Sequence, residues 1–218
     1  MTGGTINANG QTQIGSVGRD TKKVEGTVTS YAGGTTDISG GTINVKGGVG
    51  LGSSANDIYD NGNIIFGTSI KVKGDAILNI KEGATLFAYE NYKIDEPDLN
   101  NSDLDVVTFG NKATITMNDN TSKINLAGAL SANINGDDRG KIHFQNSGAK
   151  IDGNVEAVSL IFEDSHSLSK AISGDIGALD VLAINKGTLT FDKEPTDTIT
   201  TCLLYTSPSP RDLSTSRM

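Results

Sequence analysis

The chain has 218 residues, with 27 glycines, no tryptophan, one cysteine and a formal net charge of −8 at neutral pH. An acidic surface of that kind argues against nucleic acid and anionic membranes as partners. One cysteine excludes a disulfide framework, and no run approaches the roughly 18 to 20 apolar residues of a spanning helix. Few large side chains and many glycines suit a thin core better than a thick globular one.

Residues 1–60 are rich in Gly, Thr, Ser and Asn, with isolated aliphatics (Ile6, Ile14, Val17, Val24, Val28, Ile38). Gly-Gly steps at Gly3-Gly4, Gly33-Gly34, Gly40-Gly41 and Gly47-Gly48 mark repeated turns. Two readings stand here, irregular or early solenoid coils and a flexible linker, because glycine in a strand costs about 0.5–1 kcal/mol against alanine. From 61 to 201 the pattern firms into a predicted solenoid segment. Asn63-Ile64-Ile65-Phe66, Ser69 to Lys73 and Ala76 to Ile80 read as short strands punctuated by Gly67, Gly74 and Gly83. Lys71 and Lys73 flank Val72, and this in-out alternation sets the register.

Residues 89–105, YENYKIDEPDLNNSDLD, break the rhythm. Pro97 cannot donate to a central ladder and the acids cannot be buried unpaired, which predicts a loop excursion from the stack. Its Tyr89, Tyr92, Asp95, Glu96, Asp98, Asp103 and Asp105 form the candidate contact surface, since long loops in compact architectures often carry function. The acids could attract a cation nonspecifically, but their spacing is not that of an EF-hand. A strand is predicted again at Val106 to Phe109.

The run from Ala113 to Phe144 is the clearest part of the pattern. Thr114 to Met117, Lys123 to Leu126 and Lys141 to Phe144 alternate polar and apolar residues, and Asn, Asp and Gly clusters separate them. One phrase, a small residue, then Thr, then an aliphatic, recurs at Gly41 to Val45, Ala84 to Ala88, Ala113 to Met117 and Gly187 to Phe191. A chain that repeats one strand while varying what lies between predicts an all-β stacked solenoid. Val158, Leu160 and Phe162 share a face, and Val181 to Phe191 reads as two strands joined at a glycine corner. Asn44, Asn79, Asn125, Asn133, Asn135 and Asn185 recur beside strands. Stacked amides in successive coils could form ladders, although any single Asn more commonly marks a turn.

Chemistry-bearing residues are few. His143 falls on the polar phase of a strand and His166 in the turn-like Asp164-Ser165-His166-Ser167, and both are expected in structural or solvated roles, because no other part of a catalytic triad is legible. Asp137-Asp138-Arg139 is the one arrangement that suits a solenoid polysaccharide lyase or hydrolase, with paired carboxylates as acid and base. It also has every mark of a polar turn. Asn56 to Asn63 is similar to one piece of the calcium-binding nonapeptide solenoid, but no tandem copy follows. No phosphate loop, dinucleotide fingerprint, zinc motif or basic-aromatic surface is present. The expectation is therefore a non-enzyme with no cofactor and no metal.

The end of the chain reads differently. Cys202 to Asp212, CLLYTSPSPRD, resembles a translated sequencing adapter, so residues 202–218 are expected to be an artefact and disordered. Without them the count is 16 Lys+Arg against 25 Asp+Glu, a net charge of −9, and no cysteine remains. Met1 is followed by no basic-then-apolar leader, and it is expected not to be the natural start.

Gly41 to Val45, Gly62 to Phe66, Ile172 to Gly177 and Ile184 to Phe191 resemble passenger segments of Gram-negative autotransporters, in particular rickettsial-type surface antigens. That resemblance implies a right-handed parallel β-helix exported through the inner membrane by a leader and across the outer membrane by a C-terminal barrel of the same chain. It implies a cell-surface or secreted fragment acting in adhesion, with a host-cell or matrix receptor as partner. A structural surface-layer or scaffold segment is a further reading. Open coil ends in such a fragment favour self-association.

Overall fold

The computed structural model describes residues 1–9, 12–19, 28–56, 62–94, 107–108, 112–117, 119–136, 140–197 and 199–204. The chain is all-β, and it visits three parallel sheets in turn. Rung one comprises β1 (Thr5–Ala8), β2 (Thr12–Arg19) and β3 (Val28–Ile38), and rung two β4 (Thr42–Val45), β5 (Gly48–Asn56) and β6 (Gly62–Val72). Rung three holds β7 (Ile77–Ile80), β8 (Thr85–Ile94), a short β9 (Val107–Thr108) and β10 (Thr114–Met117). Rung four has β11 (Lys123–Leu126), β12 (Ala129–Ser131) and β13 (Asn133–Asn135), and rung five β14 (Lys141–Phe144), β15 (Lys150–Asp152) and β16 (Val155–Glu156). Then follow β17 (Val158–Phe162), β18 (His166–Ser167), the single-turn helix α1 (Leu168–Ala171), β19 (Leu179–Ile184), β20 (Leu189–Thr190) and β21 (Ile199–Leu204).

The first sheet runs β1-β4-β7-β11-β14-β17-β19-β21, the second β2-β5-β8-β12-β15 and the third β3-β6-β10-β13-β16. Bridges Ile151 to Ile172 and Val155 to Ile176 carry the second and third sheets one rung further, and β18 pairs with β20 in a small fourth sheet. Among the described residues every strand pairing is parallel except that of β9 with β8. This arrangement is consistent with a β-solenoid. Equivalent residues of the first sheet lie 37, 35 and 46 residues apart over the first three rungs, and those of the later rungs lie 18 to 22 apart.

Alternation explains the core. In the strands of the first sheet from β4 to β19 two apolar positions point inward, so that Ile43, Leu78, Ile124, Ile142, Leu160 and Leu182 stack in one file. Val45, Ile80, Leu126, Phe144, Phe162 and Ile184 stack in another. All of these are buried, and each contributes about 1.5–3 kcal/mol by leaving water. Leu86, Leu130 and Ile151 do the same in the second sheet, and Ile70, Ile115, Ile134 and Val155 in the third. Corners between the third and first sheets need a left-handed backbone in successive rungs. Gly41 and Gly74 supply it at φ +83 and +60, where a Cβ would overlap the carbonyl oxygens of Gly4 and Ser39.

Several expectations are corrected. Tyr89 and Tyr92 do not lie in a loop: β8 runs on to Ile94, and Tyr89, Tyr92, Lys93 and Ile94 pair with Gly52, Ser54, Ala55 and Asn56. The reason is local, since Tyr89 to Ile94 lacks the proline and acid cluster that begin at Asp95, and β5 offers a long edge. Residues 95–106, with Asp95, Glu96, Asp98, Asp103 and Asp105, lie outside the described residues, as do 57–61, 137–139 and 205–218. Gly67 does not end a strand, because β6 passes through it. Within 1–60 the described residues are coils of the stack rather than a linker. Cys202 to Leu204, expected to be disordered, extend β21 and pair with Leu182, Ala183 and Ile184. An apolar Cys-Leu-Leu run beside the open edge of β19 has ladder partners waiting for it, whatever its origin.

Candidate functional site

The corner between the second and third sheets distinguishes the early rungs from the later ones. In rung four a single residue, buried Ala132, joins β12 to β13, and in rung five Gly153 and Asn154 join β15 to β16. Asparagine side chains staple this closed corner. Asn133 donates through Nδ2 to the Lys112 carbonyl at 3.2 Å and accepts the Asn154 amide at 3.0 Å, and Asn154 accepts the Asp175 amide at 2.9 Å. In rungs one to three the same corner opens instead. There the strands leading into and out of it lengthen to 8 and 11 residues in rung one and 9 and 11 in rung two. β2 packs against β3 and β5 against β6. In rung three β8 likewise runs to 10 residues, so the lengthened strands of the three rungs stack into a fin; of the excursion expected at 89–105, residues 95–105 lie outside the described residues.

At the foot of the fin, Asp152 on the outer face of β15 gathers polar groups from three rungs. Ser173 Oγ donates to Oδ1 at 2.8 Å, Lys112 Nζ lies 3.1 Å from the same oxygen, and Ser131 Oγ donates to Oδ2 at 3.3 Å. The Ser173 hydroxyl, followed by Lys112, holds this carboxyl below the usual aspartate range against some burial. Both serine hydroxyls donate to this carboxylate, and its lowered pKa makes it a weak base for either of them. The arrangement pins neighbouring rungs together.

Both histidines, expected in structural or solvated roles, are held by neighbours within the stack. His166 is not in a solvated turn. It is buried in β18, Nε2 donates to the Ala149 carbonyl at 2.8 Å, and the ring stands edge-on to Phe144 and Phe162 at 5.7 and 5.6 Å. His143 lies on the outer face of β14 with Nδ1 3.2 Å from Glu163, whose carboxylate also accepts from Asn185 at 3.0 Å. Asp137, Asp138 and Arg139 lie outside the described residues. Glu82, Thr85, Gly128, Asn146 and Lys150 line an open groove of about 480 Å³ at the first-to-second corner of rungs three to five. Among the described residues no group of three or more His, Cys, Asp or Glu is placed to hold a metal ion, and no helix is long and apolar enough to cross a membrane.

On the outer face of the first sheet the amides do form a ladder. Asn44 Nδ2 donates to Asn7 Oδ1, Asn79 to Asn44 and Asn125 to Asn79, each at 2.8 Å. The commoner turn role is overridden because one register position recurs in four rungs, with inward aliphatics on both sides of it in the later three. Asn79→Ala removes two of these bonds on a half-exposed face and is expected to cost about 1 kcal/mol. Asn125→Ala removes one and should cost about half as much, read from urea denaturation midpoints.

Asp192 reaches back from the segment after β20 to α1, accepting the Ser169 amide at 2.9 Å and its hydroxyl at 2.5 Å. The Ser169 hydroxyl, then its amide, lowers this carboxyl to about 2. A depressed folded pKa stabilises the fold above the unfolded value of about 3.9, and that contribution fades as pH falls towards 2. A carbon-detected NMR titration should place the Asp192 midpoint near 2, and Ser169→Ala should return it towards the ordinary range.

Compared with protein-family models, curated proteins and solved structures, the chain matches none.

Proposed function

We propose that this chain is part of an exported, cell-surface passenger of the autotransporter type, a right-handed parallel β-helix that acts in adhesion without catalysis. The observation that carries the reading is the fin: three consecutive rungs extend strands at one corner, whereas the next two close that corner with one or two residues. A rigid stack that spends its chain length on one projecting edge presents a contact element and needs no cofactor. The acidic balance of the chain disfavours nucleic acid and directs the reading to a protein receptor on a host cell or its matrix. The parts that this reading requires, a leader and an outer-membrane barrel of the same chain, would be found in the uninterrupted reading frame.

The direct test replaces residues 95–106 with a short Gly/Ser turn, keeping β8 and β9. The strand signal in circular dichroism and the melting temperature should stay unchanged, while adhesion of beads coated with the chain to cultured cells or matrix should fall at least ten-fold. Unchanged adhesion would remove the fin tip from the reading. A reducing-sugar assay that shows turnover of any polysaccharide would overturn the non-catalytic assignment.

A further inference from the structure

The bridges from Ile151 to Ile172 and from Val155 to Ile176 set the coil that follows β17 directly above β15 and β16. In rung five the carbonyls of Ile151, Gly153 and Val155 point up, and each accepts a backbone amide of that coil: Ser173 at 3.0 Å, Gly174 at 3.2 Å and Gly177 at 2.8 Å. One rung higher the corresponding carbonyls are those of Ile172, Gly174 and Ile176, and donors of another kind meet them. Lys193 Nζ donates to the Ile172 carbonyl at 3.2 Å, to that of Ser173 at 2.9 Å and to that of Gly174. The Thr196 amide and hydroxyl both reach the Ile176 carbonyl, at 2.7 and 3.1 Å. One ammonium thus fills the places where two amides of a further coil would sit.

Residues 191–197 lie across this edge as a strap, while the first sheet goes on to β21. Asp192 fixes the near end on the Ser169 amide and hydroxyl, Lys193 the middle and Thr196 the far end. Pro195, between the last two anchors, has no amide to offer a further strand. Asp192, Glu194 and Asp197 are exposed on the strap. Lysine, proline, outward charge and a covering loop are the means by which sheet edges are kept from pairing.

We infer that residues 191–197 are a cap, latched by the Lys193 ammonium, that keeps the upper edge of the second and third sheets from pairing with a second copy of this chain. A second copy is the partner excluded, because the Ile172, Gly174 and Ile176 carbonyls keep the register in which this chain's own coils dock. Rung one of another copy carries parallel strands of the same two sheets, β2 and β3. Its Ile6 is 38% exposed at the foot of a file in which Ile43 and Leu78 are buried, an apolar surface that stacking would cover. The inference goes beyond the adhesion reading, since the cap acts whether or not the fin contacts anything.

The test is Lys193→Met in the whole chain, which removes the ammonium and keeps an apolar stem. Hydrogen exchange at the Thr196 and Ser169 amides should rise by about ten-fold or more, with β14 unchanged. Sedimentation equilibrium should show the variant associating at least about ten-fold more tightly than the unaltered chain. Lys193→Arg keeps charged donors for the same carbonyls and should stay near the unaltered chain in both readouts. Unchanged exchange at Thr196 would overturn the inference. So would a freed strap without tighter association, since the edge would then need no protection, and so would Lys193→Arg associating as strongly as Lys193→Met. Exchange that rises in β14 as well would also overturn it, because Lys193 would then be holding the fold rather than the edge.

Discussion

Phe144→Ala is expected to cost about 3–5 kcal/mol, the range for an aromatic removed from a closed core. The Phe144 ring stacks on Phe162 at 4.6 Å with 14° between planes, and His166 closes the third side. Truncation would leave a void that two flanking rungs cannot collapse into without breaking the ladder of the first sheet. Each rung touches only its neighbours, so the damage should stay local. Hydrogen exchange should accelerate in β11, β14, β17 and β18 and stay unchanged in β4 and β7. Phe144→Leu, which keeps much of the volume, should cost less than about 1.5 kcal/mol. Exchange that rises evenly along the whole chain would refute the nearest-neighbour description.

Ile142→Asp is expected to cost more than about 4 kcal/mol, enough to unfold the later rungs at ordinary temperature. Ile142 sits wholly buried between Ile124 and Leu160, where a carboxylate finds neither water nor a cation. One residue earlier the outcome reverses. Lys141 lies on the outer face directly beside Lys123, so Lys141→Asp exchanges a like-charge neighbour for an opposite one and should change stability by no more than about 0.5 kcal/mol. Chemical denaturation of the two variants side by side tests the register of the first sheet, because a slip of one residue would interchange their effects.

The sequence made the parallel, stacked character of the fold legible through alternation, and Ile124, Leu126, Ile142 and Phe144 are inward as that pattern requires. It misled where one phrase was taken as one repeating strand. Gly41 to Val45, Ala84 to Ala88, Ala113 to Met117 and Gly187 to Thr190 fall in four different sheets. What they share is a small residue leaving a corner, a hydroxyl on the outside and an aliphatic on the inside. Phe191, grouped with the last of them, is 51% exposed because β20 ends at Thr190. β12 and β13 escaped notice, since three-residue strands such as Ala129-Leu130-Ser131 are too short to show a period. The long strands of the fin were not legible, since the tyrosines and acids from Tyr89 on suggest a loop where β8 continues to Ile94. Those of its first two rungs are written in Gly, Ser and Thr, which carry no periodic signal of their own, and pairing with β8 and with each other makes them strands. Asp152 and its partners come from residues 112, 131, 152 and 173, and only the stack brings them together.

Unequal rungs also bear on how such a stack responds to force. Tension applied between its two ends peels one strand edge at a time, like a zipper, and each later rung lengthens the tether by roughly 70 Å at about 3.3–3.6 Å per residue. The first three rungs, which hold 37, 35 and 46 residues, release roughly 120–160 Å each. The end that carries the fin therefore stores most of the slack, and a load on it is dissipated over the longest travel.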